Sequence, residues 1–273
     1  MYDAAHFDPN PVLNERRLGH VGDTRMSSHH INPHSRLSAA ARLLIERIHR
    51  AGRPPMEAMT PAQARAFYDI GGPILDLQPP PQVDRVEELQ IPVRDGHACP
   101  ARLYAPHSQA PLPVLLYLHG GGFKIGNQWA NDRQMREIAA AWGGVVISAD
   151  YLHTPEHVFP GAVEEVSAVL HWLHECGAAS GLDTENIAFG GVSAGACIGF
   201  GAAMGLGKPS WLKAAVAVVG AFSFDTTSAS MQAFGNVGLF PQLPLVQPMF
   251  EAYVPNPSER TDPRAAPGEE QLG

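Results

Sequence analysis

FGGVSAGACIGF, residues 189–200, sets one serine, Ser193, among glycines and alanines. The run "NIAFGG" before it reads as a strand, and "ACIGFGAAMGLG" after it reads as a helix. Gly191-Val192-Ser193-Ala194-Gly195 matches the G-x-S-x-G pattern between the two. In that setting the serine stands on a strained strand-to-helix turn, and bulky neighbours would strike adjacent backbone. A helix starting beside it points its N-terminal dipole at developing negative charge. Standing alone, the motif fits a tight structural connection equally well, since it arises by chance in glycine-rich chains.

A second motif lies upstream. "LHGGGF", residues 118–123, directly follows the apolar run "PVLLYL". Without Cβ atoms, Gly120, Gly121 and Gly122 let backbone N–H groups approach a substrate oxygen. Donors of that kind form an oxyanion hole, and removing one typically costs about 10²–10³ in turnover. A phosphate loop is the competing reading, but "GGGFKIG" lacks the GxxxxGK[ST] spacing. A merely structural loop is the other alternative.

Working outward, "EELQIPVRD" and "CPARLYAP" alternate like paired antiparallel strands with "GH" near their turn. "PVLLYL" and "GVVISADY" are apolar runs of the kind buried on both faces of a sheet. "NDRQMREIAAAWG" reads as a helix, and "GAVEEVSAVLHWLHECGAA" sets Val163, Val166, Leu170 and Leu173 on one helical face. "KAAVAVVGAFS" is a sixth strand. Strands alternating with helices indicate an α/β fold with a mostly parallel sheet and helices on both faces. Ahead of it, "LSAAARLLIERIHRAG" places Leu37, Ala40, Leu43, Leu44 and Ile48 on one stripe, and "TPAQARAFYDIGG" offers a helix capped by Thr60 with Pro61 at its first position. The proline-rich "PILDLQPPPQ" marks a boundary. The organisation expected is a polar arm over 1–36, a helical cap region over 37–82, and an α/β domain over 83–273.

Length and charge exclude several classes. A chain of 273 residues, 45% hydrophobic, buries a substantial core. Its net charge of −8 argues against nucleic acid, whose phosphates call for clustered Lys and Arg. Cys99, Cys176 and Cys197 form no CxxC pair and read as reduced, buried thiols. No segment reaches about 18 uninterrupted apolar residues, so no membrane span is expected, and a cytoplasmic location follows by default. His29, His30 and His34 lack a Cys or acidic partner at ligand spacing and read as a solvated arm, so no metal is expected.

The chain resembles the bacterial hormone-sensitive-lipase-like esterases, the α/β-hydrolase group with an HGGG loop, over roughly residues 37–267. "SADYLHTPEHVFPGAVEE" resembles that family's DYRLAPEHPFPAA segment, and "DTENIAFGGVSAGA" its nucleophile segment. "FEAYVPNPSERTDPRAAP" resembles the stretch leading into its seventh strand. The resemblance implies a small-molecule ester substrate, a serine acyl-enzyme, and neither metal nor organic cofactor. It makes Ser193 the nucleophile, and gives the oxyanion N–H groups to Gly121, Gly122 and Ala194. His119, Gly120, Gly191 and Gly195 support the two motifs.

Departures from the family pattern carry their own expectations. GDSAG is GVSAG, with Val192 in place of an acid, and DYRLAPE is DYLHTPE, with Leu152 in place of arginine. The family's acid and histidine follow later strands, in the order Ser, Asp, His, and the sequence holds no histidine beyond His174. A strand with its crossover helix takes roughly 30 residues, so about 40–60 residues of the family pattern are expected to be missing. His153 and His157 are the upstream substitutes nearest the catalytic edge. His119 reads as part of its loop, His171 and His174 as lying away from the serine, and Asp225 as a loop residue. The expectation is an esterase by ancestry with impaired turnover. The alternatives are a non-catalytic binding protein that keeps the pocket and a truncated product without function. The sixth strand is expected to be an exposed edge prone to self-association, unless "GLFPQLPLVQPMFEAYV" folds back over it.

Overall fold

The computed structural model describes residues 37–50, 59–71, 79–94, 96–236 and 242–268. His29, His30 and His34, with the rest of the polar arm, lie outside these residues. The chain runs through α1 (Ala39–Arg50), α2 (Pro61–Gly71), β1 (Arg85–Arg94), β2 (His97–Ala105) and β3 (Leu112–Leu118). It continues through α3 (Asp132–Trp142), β4 (Val145–Ala149), α4 (Gly161–Cys176), β5 (Leu182–Val192) and α5 (Ala194–Leu206). Then follow β6 (Leu212–Val218), α6 (Ala229–Phe234) and α7 (Leu243–Tyr253).

Two compact units divide the sequence, one of residues 1–58 with 226–244, the other of 59–225 with 245–273. The helices α1 and α2, on either side of Gly52, therefore fall in different units. In the first unit Ser38 Oγ accepts from Ala41 N at 3.1 Å and so caps α1. Leu43 and Leu44, read from the sequence as part of an apolar stripe, are exposed at 46% and 44%.

The second unit is built on a six-stranded sheet of order β1-β2-β4-β3-β5-β6. β1 and β2 form the antiparallel hairpin, β2 joins β4 antiparallel, and β4, β3, β5 and β6 run parallel. Gly96, at a φ of 72°, makes the hairpin turn that a side chain would strain. β4 is buried at all five positions, which is why its sequence is a continuous apolar run rather than an alternation. Helix α4 buries Val163, Val166, Leu170 and Leu173, the stripe read from its spacing. Met135 and Ala139 of α3 pack with Tyr104, Tyr117 and Val146, and Val192 leans on that cluster. Full burial of a side chain like Met135 contributes about 1.5–3 kcal/mol. Thr60 and Gln63 cap α2 reciprocally, with Thr60 N donating to Gln63 Oε1 at 2.9 Å and Gln63 N to Thr60 Oγ1 at 3.3 Å.

Three local readings are corrected. β5 begins at Leu182, ahead of the "NIAF" run, because Leu182 pairs with Leu112 while the polar residues after it satisfy one another: Asp183 accepts from Glu185 N at 3.1 Å and from Asn186 Nδ2 at 2.8 Å. Cys99 and Cys197 are buried free thiols, but Cys176, the last residue of α4, is exposed. Burial pushes the Cys197 thiol up to about 12. β6 stops at Val218, since Val219 takes a φ of 46° that no strand residue adopts.

β6 pairs with β5 and ends the sheet; Val216, Val218 and Val219 are exposed at 54%, 49% and 80%. Within this unit α7 does not cover it. Phe250 and Tyr253 of α7 are buried against Phe123 of the glycine loop instead. An apolar edge with Lys213 as its one charge templates pairing with another chain. Sedimentation over a concentration series should therefore show self-association, reduced by Val216→Lys. A monomer at all concentrations with strong hydrogen-exchange protection over 213–222 would rule this out.

Candidate active site

Ser193 joins β5 to α5 at φ 53° and ψ −116°, the strained turn its glycine neighbours imply. Backbone bonds hold it there: Ser193 N donates to Val218 O at 3.0 Å, and Ser193 O accepts from Cys197 N at 3.2 Å and Ala221 N at 3.3 Å. A Cβ at Gly191 would stand 2.5 Å from Ala196 N, inside the first turn of α5. A Cβ at Gly195 would run into the carbonyls of Leu118 and His119, at the end of β3. The first-turn N–H groups of α5, Ala194 among them, have no carbonyl of their own helix to bond.

The glycine loop packs on this turn backbone to backbone. A Cβ at Gly120 would lie 3.1 Å from Val192 O and 3.5 Å from Ser193 Cβ. Gly121 and Gly122 take φ values of 145° and 59°, and Phe123 follows at 62°. Lys124 N and Ile125 N both donate to Gly121 O at 3.1 Å, closing the loop into a turn. Phe123 is held in its strained conformation by stacking on Tyr253, with centroids 3.9 Å apart, and by Thr154 N, which donates to Phe123 O at 2.8 Å. Met249 lies over Gly122: a Cβ there would meet its sulfur at 2.6 Å.

His119 is fully buried beneath this loop. Its ring stacks on Tyr151 at 4.5 Å, while Nδ1 lies 3.0 Å from Gly120 O and Nε2 3.7 Å from Asp150 Oδ1. Tyr151 Oη donates to His119 O at 2.7 Å. His153, one of the two expected substitutes for the base, sits on the same side, its ring 5.4 Å from that of His119. Burial pushes its imidazole down to about 4, with the nearby His119 adding to the effect, so it is neutral at pH 7. His157 donates its backbone N–H to His153 O at 2.9 Å. His174 stacks on Trp211 at 4.7 Å, and His171 lies 6.2 Å from the same ring. Asp225 is in the loop after β6, where its N–H donates to Ser223 Oγ at 3.0 Å. Among the described residues, no histidine hydrogen-bonds the Ser193 hydroxyl.

A cavity of about 260 Å³ opens beside this region, with Asp150, Leu152, His153, Glu156 and Arg65 in its wall. Ser193 is not in its lining. Two residues that sequence reasoning missed organise it. Glu165, buried on α4, accepts from Leu152 N at 2.6 Å and faces His97 Nε2 at 2.8 Å. Arg65 of α2 donates to Lys124 O at 2.9 Å, to Thr154 O at 2.8 Å, and to Glu156 Oε2 at 2.6 Å. The one sequence signal for Glu165 is its place beside Val166 in an otherwise apolar face; Arg65 gave none.

A mainly parallel sheet with a serine on a strand-to-helix turn and a glycine loop against it defines an α/β-hydrolase. The model for the alpha/beta hydrolase fold family matches residues 115–273. The chain belongs to that family. It is 29% identical over 236 residues to an ethyl acetate hydrolase of Pseudomonas putida, an alignment covering 84% of this chain and 74% of that one. It is 41% identical over 119 residues to esterase LipI of Mycobacterium tuberculosis, covering 42% of this chain and 36% of that one. Among solved structures, a hyperthermophilic esterase of Pyrobaculum calidifontis superposes with a TM-score of 0.78 at 28% identity, over 87% of this chain and 76% of that one. No helix among the described residues is long and apolar enough to cross a membrane.

Two substitutions separate crowded from open glycines. Gly191→Ala should destabilise by roughly 1–3 kcal/mol or prevent folding, because fixed backbone must move. Gly205→Ala, where a Cβ would meet only Arg264 Cδ at 4.0 Å, should be stabilising by about 0.5–1 kcal/mol in thermal unfolding. Equal effects would show that the turn is not packed as described. Arg65→Met leaves the Lys124 and Thr154 carbonyls without their charged donor and should cost about 1–3 kcal/mol, with faster hydrogen exchange in α2. Arg65→Lys, lacking the planar fork, should recover only part of that loss.

Proposed function

We propose that this chain is an esterase-type hydrolase of small carboxylic esters, with Ser193 as its nucleophile. The observation that carries the reading is the serine's strained turn at φ 53°, pressed against Gly120 of the glycine loop. Ser193 Oγ attacks the ester carbonyl carbon with its proton passing to water, and the N–H groups of Gly121, Gly122 and Ala194 receive the oxyanion as it forms. Collapse expels the alcohol, and water then hydrolyses the acyl-serine. The names of the relatives, an ethyl acetate hydrolase and an esterase, support a small ester as substrate. The organisation proposed with it is a helical cap region over 37–82 ahead of the hydrolase domain over 83–273.

On this reading Gly121, Gly122 and Ala194 are the oxyanion half of the machinery, and among the described residues no imidazole bonds the serine. Turnover of this chain then rests on oxyanion stabilisation and binding, which retain about 10³–10⁴ over water when the other partners are lost. p-Nitrophenyl acetate should be hydrolysed weakly but above buffer, and mass spectrometry should find an acetyl group on Ser193 that the Ser193→Ala protein does not carry. Turnover without any acetylation of Ser193 would eliminate it as nucleophile. Ordinary enzyme turnover with a histidine-like pH profile would instead show that a base reaches the serine, and His153→Leu and His157→Ala would test the two described candidates.

A further inference from the structure

The imidazole of His119 presents an unusual combination of a fixed tautomer and an unused nitrogen. Its Nδ1 lies 3.0 Å from Gly120 O, and a carbonyl oxygen only accepts, so Nδ1 carries the proton. In the neutral ring Nε2 is then a lone pair. That atom is buried, has no hydrogen-bond partner, and faces Asp150 Oδ1 at 3.7 Å. A lone pair aimed at a carboxylate oxygen repels it unless a second ring proton or a metal cation stands between them. His153 Nε2 is likewise buried without a partner, 3.9 Å from the same carboxylate oxygen. One donor atom from each of the three residues falls within 4.8 Å of the others.

We infer that His119, Asp150 and His153 form a binding site for a divalent transition ion of the Zn²⁺ class. Two imidazole nitrogens and one carboxylate oxygen are the donor set such an ion takes, with bonds of about 2.0–2.2 Å and donor atoms about 3.3–3.5 Å apart in a tetrahedron. The two distances to Asp150 Oδ1 exceed that by a few tenths of an ångström, and all three donor atoms lie within 4.8 Å of one another, so binding an ion requires the ligands to draw together.

The surroundings match what holds such ligands. A ligating imidazole donates its other N–H to a carbonyl or carboxylate, as His119 Nδ1 does to Gly120 O. Its ring is clamped by Tyr151 on one face and by Gly126, where a Cβ would stand 2.6 Å from His119 Cε1. Gln128, in the orientation that accepts from Trp129 Nε1 at 3.0 Å, donates to Asp150 Oδ2 at 3.3 Å and fixes the carboxylate. The 260 Å³ cavity reaches Asp150 and His153, offering an entry path and room for a water as fourth ligand. The site is independent of the ester reading, lies beneath the glycine loop, and departs from the expectation of no metal.

The full chain, stripped with chelator, loaded with ZnCl₂ and desalted, should retain about one Zn²⁺ per chain. Co²⁺ in its place should give the intense visible d–d bands of a four-coordinate ion. His153→Leu, which installs the residue of the resembled DYRLAPE segment, should weaken binding by at least about 10-fold, since even indirect partners of metal ligands are worth 10–100-fold. The variant in which His29, His30 and His34 are alanine should keep its metal. Failure of the folded wild type to bind either ion, undiminished binding by His153→Leu, or loss of metal in the alanine variant would each overturn the site. Should His153→Leu fail to fold by circular dichroism, Asp150→Asn carries the same test.

Discussion

Everything at this site depends on two lengths of backbone touching with no side chain between them. Gly195 lies under the carbonyls of Leu118 and His119, and Gly120 lies against the carbonyl of Val192. The end of β3 and the start of α5 are thereby brought into direct contact, which the 3–5 strand pairing alone would not do. A single methyl at Gly195 would part them. The positive φ of Ser193 follows from the same constraint, because the chain must leave β5 and enter α5 within one residue. Strain at one serine is therefore sustained by close packing at several glycines together with the serine's own backbone bonds.

That dependence explains which features could be read in the sequence. Glycines at fixed offsets from a serine, after an apolar run, report local crowding, so the two motifs and their mutual placement were legible. The strand and helix succession was legible too, because strands covered on both faces are apolar throughout and α4 repeats its apolar residues at helical spacing. What escaped reading is settled between distant segments. Glu165 looks like one of three acids on its helix until Leu152 N and His97 are seen to meet it. Arg65 resembles any surface arginine, yet its three acceptors come from residues 59 to 91 positions away. The apolar content of α7 announces burial but not its target, the glycine loop rather than the edge of the sheet.

The two departures from the family segments also turn out to sit in separate environments. Val192 joins the apolar cluster of Tyr117 and Met135, where an acid would be buried against hydrocarbon. Leu152 instead stands over Gly161, with Cδ1 3.8 Å from where a Cβ would be, and gives its backbone N–H to Glu165. A buried carboxylate without an arginine needs other donors. Here Leu152 N and His97 fill that place, so the neutral side chain at 152 and the histidine at 97 form one arrangement.

The glycine loop is thus bounded on two sides by different chemistry. One side meets Ser193, whose hydroxyl has no imidazole among the described residues. The other rests on His119, whose ring is stacked, hydrogen-bonded and wedged against Gly126. On the proposed reading of the loop N–H groups as oxyanion donors, the preorganisation they need as charge develops comes from the buried side. The base contributes to proton transfer and leaves the aim of the N–H groups unaffected. The glycine loop is held from its buried side, where Tyr151 Oη donates to His119 O and Phe123 stacks on Tyr253, so its geometry does not depend on an imidazole at Ser193.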